Sequence, residues 1–474
     1  MIVTKLATTF AVVTTLTTSA LGQAVANTGL QQPTAFTPGT PAAVTTGARN
    51  PVFTAPAVNT VATSGVRQPD SQVVAAAPVT PVAGLHQPEQ FSVPSSYASY
   101  YDDEDDSVAD DSDYSDDVCC DSYAESFCDC GGWIQQGITF NGYDPADGFN
   151  GPVVLNDRAN EYQMNQLWLY MAREVDNGGC GWDHGGRVDV VFGTDARFMT
   201  SLDGLEENWD QNEYYQLAIL QFYYEVAHDD WNLKAGRMIS PVGYEPWEAT
   251  DTFFYSRSYN FLAQPNTITG LYLTRDVTDQ FSLSAGLHRG SDQFDDRDGR
   301  DDIDFVGGGS WWSCDEETWL DVYVISEEQG IGNDTLHYSV VGGTPLSERW
   351  DYVVEWYYGH SDDAIAQAEW YGINQHFMRE INDCWSYGFR FEWFRDDDGF
   401  IIFGPDPRNS AQGPFVGDFY ELTFAVNYTP TENFALRPEI RWDWYKSDAG
   451  GPEPFNDGTR SNQFIASIDA IWAF

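Results

Sequence analysis

The chain has 474 residues, with 23 Lys and Arg against 73 Asp and Glu, a formal net charge of −50. Such a balance excludes nucleic acid as a partner, because phosphate binding needs clustered Lys and Arg; divalent cations or cationic solutes are the natural companions. The aromatic content, 17 Trp, 26 Tyr and 29 Phe, exceeds what one soluble core needs, whereas a membrane barrel places aromatics in girdles at both interfaces.

Residues 1–26 carry one early charge, Lys5, then an uncharged run from Leu6 to Leu21 with small residues at Ala20, Gly22, Ala24 and Ala26. This reads as a secretory signal peptide. No later stretch reaches the roughly 20 apolar residues of a membrane helix, so a membrane-embedded mature chain must cross as strands. Residues 27–99 are rich in Pro, Ala, Thr, Val and Gln and read as a disordered linker. Residues 100–130 form an acidic, Cys-rich segment in which Cys119, Cys120, Cys128 and Cys130 are disulfide candidates for an exported protein. Their spacing fits no zinc ribbon, so no metal site is expected there. Cys180, Cys314 and Cys384 make the cysteine total odd.

From residue 131 to 474 the pattern becomes regular. Strand cores are predicted at 131–142, 161–175, 186–195, 213–226, 231–239, 268–275, 281–290, 303–313, 318–326, 335–343, 350–358, 368–381, 385–395, 418–429, 433–445 and 462–474. In the fifteenth, Arg437, Glu439, Arg441 and Asp443 alternate with Pro438, Ile440, Trp442 and Trp444, so every charge falls on one face at a side-chain period of two. The last run puts Phe464, Ala466, Ile468, Ala470, Trp472 and Phe474 on one face. Charges recur on one face of several other runs, at Arg187 and Asp189, Asp351 and Glu355, and Arg390 and Glu392. A filled sandwich core would have to desolvate them, whereas a wide watery interior would not. Connections alternate between tight turns and longer Gly-, Asp- and Pro-rich loops, with both ends of the barrel on the short-turn side. The expected fold is therefore all-β: a porin-like transmembrane antiparallel β-barrel of about 16 strands, preceded by a disordered N-terminal segment.

Local signatures sharpen this. Phe149-Asn150-Gly151-Pro152 precedes Asn156-Asp157-Arg158 and Glu161-Tyr162-Gln163; Gly193 to Phe198 is a second block, and Gly236-Arg237 leading to Pro241 through Glu245 and Phe253 through Ser256 is a third. Their order and spacing over Trp133 to Phe474 resemble the OmpL-like β-barrel porin family of bacterial outer membranes. The ending, with Trp472 and Phe474, resembles the assembly signal of outer-membrane proteins. The third long connection, Ser240 to Thr267, is the longest. In sixteen-stranded general porins, which this architecture resembles, that loop folds inward and narrows the pore. The resemblance makes Glu245, Glu248, Asp251, Phe253, Phe254 and Tyr255 constriction-loop candidates, with Arg187, Arg390, Arg437 and Arg441 as wall partners; a loop packed over the rim is the alternative. The pore-lining candidates are Arg187, Asp189, Asp351, Glu355, Arg390, Glu392, Arg437, Glu439, Arg441 and Asp443.

Asp292 to Asp304 is rich in Asp but lacks EF-hand order, so a solvated loop is favoured over loop-bound Ca2+, and no other cofactor is expected. No zinc-protease, nucleophile-elbow or phosphate-loop motif occurs, so an enzyme is not expected. The leading function is an outer-membrane porin, a passive channel for small hydrophilic solutes or ions with cation preference. The partners are outer-membrane lipid and the solutes, with a homotrimer as the expected assembly and the N-terminal segment in the periplasm. The alternative is a structural or adhesive outer-membrane barrel tethered through its Cys-rich arm.

Overall fold

A computed structural model describes residues 129–177, 181–201, 205–206, 209, 214–295, 303–328, 334–362, 367–402, 414–448, 450–451 and 453–474. The signal peptide, the linker, Cys119, Cys120, Cys128 and Cys180 lie outside the described residues.

Sixteen antiparallel strands close into a barrel. They are β1 (Asp129–Asn141), β2 (Tyr162–Arg173), β3 (Trp182–Gly193), β4 (Gln216–His228), β5 (Trp231–Ile239), β6 (Thr267–Thr278), β7 (Phe281–Ser291) and β8 (Asp304–Trp312), then β9 (Trp319–Glu328), β10 (Asp334–Ser347), β11 (Trp350–Asp362), β12 (Gln367–Asn382), β13 (Trp385–Asp396), β14 (Gly417–Thr431), β15 (Phe434–Ser447) and β16 (Asn462–Ala473). Each expected strand is present, with ends displaced by a few residues. Several ladders run past the amphipathic stretch that reveals them in the sequence, because backbone pairing continues where the lipid-facing pattern stops.

Every strand pairs with its sequence neighbours, and β1 pairs with β16, from Trp133↔Ala473 to Asn141↔Ile465. Gly132 N–H donates to Phe474 O at 3.0 Å and Phe474 N–H to Gly132 O at 2.8 Å. Closure matters because hydrocarbon offers no partner to an edge N–H or C=O. Bulges interrupt several ladders, as between Gln135 and Gln136, and a proline leaves a gap in another. Pro438 has no N–H to give, and the β14–β15 register passes from Ala425↔Glu439 to Tyr428↔Leu436 around it.

Turns at one end are tight: Asp229-Asp230, Asp279-Gln280, Glu348-Arg349, Asp383-Cys384 and Glu432-Asn433 each join two strands. Asp229 takes the left-handed conformation (φ 48) that such hairpins require. The opposite end carries the long connections, although residues 363–366 between β11 and β12 are few. Both termini of the barrel sit at the short-turn end. Cys130, Cys314 and Cys384 are unpaired with one another.

The burial pattern inverts that of a soluble protein. Arg437, Glu439, Arg441 and Asp443 are buried, while Ile440 and Trp442 between them are 43 % and 48 % exposed. Leu271, Leu287, Leu422 and Phe464 are likewise exposed on the outer face. Trp182, Trp231, Trp311, Trp385 and Trp472 project outward toward the short-turn end, where an interfacial girdle belongs. Replacing Ile440 with Arg puts a charge at mid-strand on this face. It is expected to lower barrel stability by about 2–4 kcal/mol, read as an earlier urea-unfolding midpoint in lipid vesicles.

Candidate functional site

The connection between β5 and β6, residues 240–266, enters the barrel and is held on many sides of the wall. Its neck closes where Ser240 N–H donates to Asn266 O at 3.0 Å. Inside, it contains a single 3-10 turn at Ala249–Asp251 and a short helix, Tyr259–Ala263. The helix is capped by Ser258, whose hydroxyl accepts from Phe261 N–H at 3.1 Å. Arg257 staples the loop to itself, donating to the carbonyls of Pro246, Phe254 and Tyr255.

A loop this irregular cannot satisfy its own backbone, and the wall supplies the partners. Carboxylates take its N–H groups. Glu392 accepts from Tyr259 N–H (2.6 Å) and Asn260 N–H (2.7 Å), and Glu439 from Tyr255 N–H (2.9 Å) and Ser256 N–H (3.3 Å). Arginines take its C=O groups. Arg437 donates to Thr252 O (2.6 Å) and Ala249 O (3.1 Å), Arg441 to Arg257 O (2.5 Å), and Arg390 to Ser256 O (2.7 Å). On the far side, Gln166 of β2 donates to Trp247 O (2.9 Å) and Tyr255 OH donates to Asn165 Oδ1 (2.9 Å). The loop thus reaches from β2 across to β13–β15.

These arginines are matched by acids, and the matching differs from the expectation of loop acids facing wall arginines. Of Arg390, Arg437 and Arg441, the first meets an acid of the loop, at 2.5 Å from Glu245, and it also pairs with Glu421 of β14. Arg437 pairs with Asp469 of β16, and Arg441 with Asp443 and Glu421. Burial alone would raise the Glu245 carboxyl, but Arg390 and further positive neighbours hold it below the ordinary range. Glu248 behaves oppositely: burial and the adjacent Asp251 push it up to about 8 against the pull of Arg187.

The aromatic triplet fills gaps left by missing side chains. Phe253 lies against Gly388, where a Cβ would come within 2.7 Å of its ring, and Tyr255 against Gly137, where a Cβ would be 2.6 Å from its hydroxyl. Phe254 sits beneath the Arg390 guanidinium at 5.1 Å.

Of the wall positions expected from sequence, Arg390, Glu392, Arg437, Glu439, Arg441, Asp443 and Glu355 are sealed, each at most 3 % exposed. Arg187 is different: its side chain keeps 28 % of its accessible area while bonding Asp189. Asp351 is intermediate. Sequence reasoning missed Glu421, Asp469, Gln166 and Arg257. Glu421 and Asp469 carry the same signal as the positions it found, a charge alternating with apolar residues; Gln166 and Arg257 carry none. Glu355 Oε1, both polar atoms of the Asn374 amide and His376 Nε2 are buried without partners among the described residues. Asp292, one of the calcium-loop candidates, accepts from the backbone N–H groups of Asn266 and Thr267; 296–302 lie outside the described residues.

Arg390→Met leaves Glu245 and Glu421 buried without their shared cation and is expected to weaken loop seating by about 3–5 kcal/mol, seen as faster proteolysis within 240–266 while the barrel stays intact. For Glu248 the seated loop holds a proton that a released loop gives up. Its contribution is full below the ordinary carboxylate range and is lost as pH rises through about 8. Between pH 5 and pH 8.5 the wild type is therefore expected to lose proteolytic protection of the loop relative to Glu248→Gln.

Comparison with known proteins agrees with this architecture. The outer membrane channel DcaP of Acinetobacter baumannii superimposes with a TM-score of 0.50 at 13 % identity, covering 74 % of this chain and 99 % of that one. An anion-selective porin from Comamonas acidovorans gives 0.48 at 10 % identity, covering 74 % and 100 %, and OprB of Pseudomonas putida 0.48 at 11 %, covering 73 % and 94 %. No curated protein matches the sequence. The family described as "Putative beta-barrel porin-2, OmpL-like" matches residues 128–474. With a sixteen-stranded closed barrel, a polar interior and a match across all of it, the chain belongs to the OmpL-like β-barrel porins of the outer membrane.

Proposed function

We propose that the barrel is a passive diffusion channel for small hydrophilic solutes or ions, with residues 240–266 as its constriction. The observation that carries this is the loop seated inside the lumen on a polar wall. The sealed residues Arg390, Glu392, Arg437, Glu439, Arg441 and Asp443 then set the position of the loop rather than touch the solute. The solute passes on the other side, along β3–β5, where Arg187 and Lys234 keep 28 % and 24 % of their side-chain area accessible. The short-turn end faces the periplasm in this reading, so the segment before β1 lies there. The porin family also motivates a homotrimer, which cross-linking of membrane-extracted protein tests.

The channel is proposed to prefer cations. The overall charge is strongly negative, and Arg390, Arg437 and Arg441 are each neutralised by an acid in contact, so they do not reverse the field. Refolded protein in planar bilayers is expected to give stepwise conductance, and insertion without steps would sink the channel reading. Under a salt gradient the reversal potential is expected to have the cation-selective sign, more strongly so in Arg187→Glu; an anion-selective sign in the wild type overturns the preference.

A further inference from the structure

Three inward side chains near the long-loop end come from adjacent strands. His288 of β7 is directly paired with Asp304 of β8. Glu327 of β9 follows Ser326, the partner of Phe305, so it stands beside Asp304 on the same face. Neighbouring side chains on paired strands start only about 5 Å apart at Cβ, and here each residue offers a ligand atom within 4.8 Å of the other two. All three are buried, His288 at 2 % exposure, Asp304 at 6 % and Glu327 at 3 %.

The imidazole is the informative member. Gly290 N–H points at its Nδ1 at 3.2 Å. Its Nε2 makes no hydrogen bond of acceptable geometry among the described residues, although the Phe305 backbone lies beside the ring. A buried imidazole whose Nε2 lacks a well-aligned partner, clustered with two carboxylates, has the donor chemistry of a metal site.

We propose that His288, Asp304 and Glu327 bind a divalent transition-metal ion of the zinc class, through His288 Nε2 and one oxygen from each carboxylate. Calcium and magnesium favour all-oxygen sets, whereas one imidazole with two carboxylates suits zinc-like ions and leaves a position for water. The carboxylates are already oriented: Ser291 N–H donates to Glu327 Oε2 at 2.7 Å, Glu328 N–H donates to Asp304 Oδ1 at 2.8 Å, and His337 Nε2 is 3.2 Å from Glu327 Oε1. Coordination through Nε2 places the ring proton on Nδ1, so the Gly290 contact opens on loading. The ion enters from the long-loop mouth, since Asp304 begins β8 and Glu327 is one residue from the end of β9.

The site also touches the constriction loop. The other ring nitrogen of His337 meets Tyr357 OH at 2.6 Å, and that hydroxyl donates to Ala263 O of the loop helix at 2.7 Å. His337 is a positioning residue here, joining a metal carboxylate to the loop.

The test uses the full chain folded in detergent micelles, its cysteines blocked with N-ethylmaleimide, dialysed against Zn2+ and assayed by elemental analysis. Wild type, His288→Ala, Glu327→Gln and the control Asp295→Asn are compared, with folding checked by heat-modifiable mobility. The expected result is one tight equivalent in the wild type and the control, weakened at least about tenfold in the other two, and resistant to displacement by an equal concentration of Ca2+. Equal zinc in wild type and His288→Ala, or displacement by Ca2+, overturns the proposal. If His288→Ala does not fold, Co2+ loaded on the wild type decides: a visible absorption band abolished by Zn2+ supports the site, and its absence overturns it.

Discussion

Inside hydrocarbon, a backbone N–H or C=O without a partner costs several kcal/mol and has no water to turn to. A strand-built membrane protein therefore has no free edge, and the β1–β16 ladder is what removes it here. Closure in turn fixes which face of each strand meets lipid. Once Ile440, Trp442 and Phe464 are outside, Arg437, Glu439, Arg441, Asp443 and Asp469 must be inside, and a charged interior needs partners of its own.

The loop over 240–266 and the wall solve each other's problem. The loop brings a run of backbone donors and acceptors too irregular to pair among themselves, and the wall brings carboxylates and guanidinium groups that would otherwise have to be solvated. The assignment is orderly: Glu392 and Glu439 receive amides, and Arg390, Arg437 and Arg441 donate to carbonyls. Buried ion pairs of this kind add little net stability because desolvation offsets much of their attraction, while removing one partner is costly. Their effect is to make one seating of the loop much better than any displaced seating. Gly137 and Gly388 add a steric condition to the electrostatic one.

The barrel was legible in the sequence because its signal is repeated sixteen times. One amphipathic run such as Phe434 to Tyr445 fits any half-wet sheet, but many of them joined by alternating short and long connections fit few folds. Which wall groups meet the loop was only partly legible. Alternation places a charge on the inner face and says nothing about what stands opposite. The resemblance to general porins makes Arg437 and Arg441 wall candidates facing the loop acids, whereas the structure gives them Asp469, Asp443 and Glu421. That partnership depends on register between strands, and register is set by turns and by bulges such as the one between Gln135 and Gln136. Gln166 and Arg257 left no periodic trace at all, since one is a lone amide and the other lies in an aperiodic loop.

The seam between Gly132 and Phe474 also constrains the order in which the molecule can come into being. Every other ladder joins strands adjacent along the chain and can form as a hairpin of low contact order, but this one joins strands separated by nearly the entire barrel. Loop-closure entropy must be met before such a contact gives anything back. Until it forms, β1 and β16 are two bare edges able to capture a strand from another molecule. The hairpins are thus local and cheap to nucleate, while the step that makes them a barrel is a single non-local event between β1 and β16.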